Sequence, residues 1–118
     1  MMINANEIRL GNWVRWGGVN VEITTVTIYQ RTFYKCTEGL VSGIPLTPEI
    51  LIACGFVYVE DYAEYRYRES TNWFGVFNEH NDDWYFDKPE MSTVVIKYLH
   101  QLQNLYYSLT GQELTYKP

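Results

Sequence analysis

Four polar side chains near the end of the chain, His100, Gln103, Asn104 and Tyr107, recur at three- and four-residue steps. That spacing places them on one arc of a helix. An imidazole, two amides and a phenol can recognise a polar ligand by hydrogen bonds, although amides are poor nucleophiles. The same groups would serve equally well facing solvent, or tying the helix to a neighbouring strand. A second constellation is Arg66 and Arg68, which alternate in a β-prone stretch and therefore share one strand face. With Tyr62, Trp73 and Trp84 nearby they form a candidate pocket for a nucleotide-like anion, since guanidinium forks bind phosphate and rings stack on bases. The plainer alternative is cross-strand pairing with Glu64 or Glu69. A third is Glu79-His80-Asn81-Asp82-Asp83, whose carboxylates and imidazole are ligand types for divalent ions. Its spacing does not match an EF-hand loop, and Asn and Asp are common in hairpin turns. No metal site and no cofactor is expected. Ser42, Ser70, Ser92 and Ser108 lack a nucleophile-elbow context, and neither a phosphate-cradling glycine loop nor a zinc signature is present. The chain reads as non-catalytic.

Composition narrows the partner. The chain has 118 residues, a length expected of a single domain spanning 1–118. Nearly half its residues are apolar and 17% are aromatic, with eleven Tyr and four Trp, so some rings are expected to remain outside the core. Charge is unevenly placed, with nine acids in 60–90 against Arg66, Arg68 and Lys88. Phosphate affinity comes from clustered Lys and Arg, so duplex nucleic acid is not expected to bind. A partner that meets the acidic stretch should itself be basic. Cys36 and Cys54 form no CxxC pair and read as reduced, buried thiols. The N-terminal residues lack the basic and apolar regions of a secretory signal, and no segment is long and apolar enough to span a bilayer. A soluble, cytoplasmic protein is expected.

These groups need elements to position them. Asn12–Trp16, a Gly17-Gly18 turn and Val19–Ile28 read as strand, turn and strand, with Val19, Val21 and Ile23 on one face. A third strand is expected over Thr32–Cys36. Thr47, Pro48 and Glu49 mark the start of a short helix that Gly55 ends, over about 47–54. Strands then return over Val57–Val59, Tyr62–Arg68, Asn72–Asn78, Trp84–Phe86 and Thr93–Lys97. A final helix over about 98–110 shows Leu99, Leu102, Leu105, Tyr106 and Leu109 as its apolar stripe and stops at Gly111. The fold class is α+β, an antiparallel meander or small barrel-like sheet covered by the two helices.

Three blocks resemble a family of small bacteriophage and prophage proteins from gut-type bacteria. They are Asn6-Glu-Ile-Arg-Leu-Gly-Asn-Trp-Val14; Gly43-Ile-Pro-Leu-Thr-Pro-Glu-Ile-Leu51 with Cys54-Gly-Phe56; and Tyr98-Leu-His-Gln-Leu-Gln-Asn-Leu-Tyr-Tyr-Ser-Leu-Thr-Gly-Gln-Glu-Leu114. Together they cover a little under a third of the chain, and the last is the specific one. The resemblance implies a mobile-element setting and carries neither a reaction nor functional residues. Two mechanisms follow as expectations. One is sequestration of a nucleotide-like immune signal, in a pocket between subunits of an oligomer. The other is interaction with a host or phage protein through exposed rings and the acidic surface.

Overall fold

A computed structural model describes residues 7–25, 29–32, 39–69, 72–78, 83–87 and 95–118. The protein is α+β with antiparallel sheets, as expected; there are two of them among the described residues, one a five-stranded meander, and neither is closed into a barrel. It divides into two compact units, Met1–Pro45 with Tyr98–Glu113, and Leu46–Lys97 with Leu114–Pro118.

In the first unit, β1 (Trp13–Trp16) and β2 (Val19–Glu22) form a hairpin in which Trp16 lies opposite Val19. The two-residue loop requires positive φ at both positions, and Gly17 and Gly18 supply it at +60° and +83°. The third strand is β3 (Val41–Ser42), which pairs with the other edge of β1. The strand expected over Thr32–Cys36 does not begin at Thr32. Residues 29–32 are helical, closed by Tyr29 N–H to Thr25 C=O at 2.8 Å, and 33–38 lie outside the described residues. The expected long second strand likewise ends at Glu22. β-Branched residues favour a strand, but contacts with a sheet decide whether one forms. Of the expected face, Ile23 is fully buried whereas Val19 is 60% exposed. Ile8, Val14, Ile23 and Val41 form a buried cluster with Trp16, Val21 and Tyr29 packed against it. Each fully buried aliphatic side chain contributes about 1.5–3 kcal/mol.

The second unit starts with α1 (Pro48–Ala53), whose ends follow the sequence signals. Thr47 Oγ1 accepts from Ile50 N–H at 3.2 Å, and Pro48 occupies the first turn. Six residues are too few for a free-standing helix, and Leu51 is completely buried. A five-stranded meander follows in spatial order β4 (Val57–Val59), β5 (Glu64–Glu69), β6 (Asn72–Asn78), β7 (Trp84–Phe86) and β8 (Val95–Ile96). A 3₁₀ turn at Glu60–Tyr62 joins β4 to β5. Phe56, Phe74, Val76, Trp84, Phe86 and Ile96 are buried, with Phe74 and Phe86 stacked at 4.5 Å between centroids. The end of the chain returns to this unit. Leu114 and Tyr116 are buried, and Lys117 N–H donates to Ala53 C=O at 2.9 Å.

The final helix, α2 (Leu99–Thr110), belongs to the first unit. Gln101 Oε1 accepts from Tyr98 N–H at its start, and Gly111 N–H reaches Tyr107 C=O at its end. Its buried arc is turned from the expected stripe. Leu99, Leu102 and Tyr106 are buried as expected, Leu109 is 48% exposed, and the polar His100 and Gln103 are fully enclosed.

Candidate functional site

A cleft of about 380 Å³ opens in the second unit, and its walls include the rings of Tyr58, Tyr65 and Trp84 with Leu46, Pro48 and Asn78. Strand register assembles it. Tyr58 on β4 lies opposite Tyr65 on β5, and Asn78 on β6 lies opposite Trp84 on β7. Ring centroids step across the wall at 5.0 Å from Tyr58 to Tyr65 and 5.8 Å from Tyr65 to Trp84. Trp84 is a fixed wall, 4% exposed, with its indole N–H donating to Leu46 C=O at 3.3 Å. Tyr58 at the rim is 50% exposed. Tyr rings offer a large apolar face with a polar tip, which suits a partly wet recognition surface. Among the described residues the lining contains no carboxylate, imidazole, thiol or cationic side chain. Such a site can hold a ring or an apolar side chain, but by itself supplies no general acid or base.

Arg66 turns away from this cleft. Neighbouring residues of a strand point to opposite faces, so Tyr65 and Arg66 diverge. Arg66 Nε donates to Glu64 Oε1 at 2.5 Å, and its guanidinium lies 4.1 Å from the centroid of the Tyr62 ring. Arg66 is thus paired with Glu64, one of the two acids expected, but along β5 and not across strands. Glu64 is nearly enclosed, at 2% exposure. Burial pushes its carboxyl up to about 7, hydrogen bonding with Asp87 adds to the rise, and Arg66 opposes it. Arg66 lies opposite Gly75 on β6, and Asp87, just beyond the end of β7, donates its N–H to Gly75 C=O at 2.9 Å. Arg68 and Trp73 are opposite one another in the β5–β6 ladder; their side chains lie outside the described residues. Of the expected anion pocket, Trp84 enters the cleft, while Tyr62 and Arg66 engage each other.

The helical arc is occupied by the chain itself. Gln103, 1% exposed, accepts from Trp13 N–H at 2.9 Å and donates to Gly11 C=O at 3.1 Å. Asn104 donates to Glu7 C=O at 2.6 Å and accepts from the Asn12 amide at 2.9 Å. His100, fully buried, has Nε2 2.9 Å from a Glu7 carboxylate oxygen. Burial holds its imidazole below the usual range, with Glu7 opposing, while Nδ1 has no partner among the described residues. Arg9 extends the clasp, bonding Gln103 C=O and the Glu113 carboxylate and covering the Tyr107 ring at 4.6 Å. Of the two roles open to this arc in the sequence, the bonds fill the structural one. The Glu7–Trp13 stretch and the start of α2 are thus held together by polar side chains.

Sequence reasoning passed over Tyr58, Tyr65 and Asn78 as site residues. The alternation of Tyr65 and Tyr67 fixed their common face, but only the register of four strands brings Trp84 beside them. Of the acidic turn, only Asp83 lies among the described residues, and it sits 3.6 Å from Lys97. No group of three or more metal-ligating side chains occurs among the described residues. Cys54 is a buried free thiol that burial pushes up to about 12, as its packing role requires; Cys36 lies outside the described residues. Among the described residues no helix is long and apolar enough to cross a membrane. No known protein family, curated protein or solved structure matches this chain.

Proposed function

We propose that this is a non-catalytic binding protein of bacteriophage or prophage type, which grips a host or phage protein through the aromatic cleft of its second unit. The observation that carries this reading is the chemistry around the cleft. Among the described residues its lining is uncharged, and residues 46–63, which form one side of it, contain Glu49, Glu60 and Asp61 but no basic residue. Ile52, Val57, Tyr58 and Tyr62 from the same stretch are each at least half exposed. Exposed aromatic and aliphatic side chains rimmed by charge are the composition of a protein-binding patch.

Sequestration of a nucleotide-like signal from host immunity is the second reading. The stacked rings of the cleft favour it, because any base has a face to stack. It is weakened by the position of the cations. A phosphate needs Arg or Lys beside the rings, and Arg66 is engaged with Glu64 on the other strand face.

Affinity capture of partners from host lysate, with the intact chain as bait, tests the ranking. The expected result is a partner retained by the natural sequence and lost from both Tyr58→Ala and Glu60→Lys/Asp61→Lys. A thermal shift with nucleotides, abolished by Tyr58→Ala and accompanied by no such protein partner, would reverse it.

A further inference from the structure

The cleft does not stand alone, because Tyr58 also belongs to the outermost strand of its sheet. β4 is first in the order of five, and among the described residues it pairs only with β5. Among the described residues, no backbone bond other than the β5 ladder engages 57–59. An open strand edge presents a row of unpaired N–H and C=O groups, and proteins usually blunt it with charge, proline or a bulge. Val57-Tyr58-Val59 carries none of these. Its side chains are also available, with Val57 66% and Tyr58 50% exposed. Only the strand's brevity limits pairing, so an added strand needs an anchor beyond its backbone bonds.

Resting on the protein-binding reading above, we propose that β4 receives an extended, basic segment of the partner as a sixth strand. Alternate side chains of an added strand fall on the same face as Tyr58, so one of them, aromatic or aliphatic, enters the Tyr58–Tyr65–Trp84 cleft. Charge selects the rest of the occupant. Glu60 and Asp61 follow β4 directly and Glu49 is exposed on α1, so Lys or Arg flanking the anchor is attracted and acidic segments are repelled. Main-chain pairing provides the geometry, the cleft the anchor and the acids the choice of sequence.

The probe is a display library of random linear twelve-residue peptides, selected on the intact chain. The best binder is then measured by fluorescence anisotropy and mapped by amide chemical shifts. The expected binder is basic with an apolar or aromatic centre, and perturbs the amides of 57–59. Methylating alternate backbone nitrogens of that peptide weakens it roughly tenfold or more, because each loses a strand bond. Glu60→Lys/Asp61→Lys lowers affinity by a similar factor, and the loss shrinks as salt rises. Binders that tolerate methylation and shift only Tyr65 and Trp84 overturn strand addition while leaving the cleft reading intact. A library that yields no binder overturns both. A stable dimer in light scattering that protects 57–59 from hydrogen exchange also overturns the proposal, since a second copy then occupies the edge.

Discussion

At the residue scale, the Gln103 carboxamide satisfies one backbone donor and one backbone acceptor inside the first unit, Trp13 N–H and Gly11 C=O. Leu is close in volume but offers neither bond, and a buried backbone group left unpaired costs about 1–3 kcal/mol. Gln103→Leu should therefore lower stability by roughly 3 kcal/mol in urea denaturation, without changing binding at the cleft. Two buried titratable groups give opposite pH slopes. The Glu64 carboxyl is raised from 4.5 to about 7 in the folded chain. The fold therefore holds a proton that the unfolded chain has released. This contribution is fully present below about pH 4.5 and is lost as pH rises through 7. His100 is lowered from 6.5. Its contribution is present above that value and fades as the solution is acidified. Urea midpoints taken from pH 4 to 8 should show the alkaline decline flattened in Glu64→Gln and the acidic decline flattened in His100→Gln. Unchanged slopes would remove these groups from the account.

At the scale of elements, close approach and local signals divide the work. The Tyr98 ring, leading into α2, lies over Gly43, so that a Cβ added there would sit 2.5 Å from Tyr98 Cγ. Cγ is not the free end of a flexible chain, and the collision cannot be relieved by a small rotation. Gly43→Ala should cost about 2–3 kcal/mol, the range for an overpacked core, and lower the thermal midpoint accordingly. Nothing in Val41-Ser42-Gly43 announces this, because the ring that forbids a side chain comes from far along the sequence. Local signals were legible. Thr47, Pro48 and Gly55 bounded α1, Gly17-Gly18 joined the first hairpin, and alternation located β5, β6 and β7. Partner choice was not. β-Branched residues after Val19 suggested a longer strand and a neighbour over Thr32–Cys36, yet β1 recruits Val41–Ser42. The polar arc of α2 looked available for a ligand because its partners lie about 90 residues earlier. The cleft was half legible: Trp84 stood out, while Tyr58 and Tyr65 depended on register.

At the scale of the whole molecule, each unit is built from separated stretches of chain. The second includes the last five residues, Leu114–Pro118, through buried Leu114 and Tyr116 and the bond from Lys117 to Ala53. Two large apolar side chains buried in this way contribute about 4 kcal/mol together. A chain ended after Glu113 should lose about that much, and hydrogen exchange at 51–59 should accelerate more than at 13–22. Equal acceleration in both stretches would mean that these residues do not stabilise the second unit selectively.

The clasp between Glu7–Trp13 and α2 has a consequence for biosynthesis. The first forty-five residues leave the ribosome early, but the helix that pairs with Gly11, Asn12 and Trp13 emerges only after the entire 46–97 stretch. A nascent chain must carry an incomplete first unit, with the polar groups of Gly11, Asn12 and Trp13 lacking their helix partners, through most of its own translation. Slowing elongation within 46–97 should lengthen that vulnerable interval and increase dependence on chaperones, whereas slowing after Gly111 should matter little.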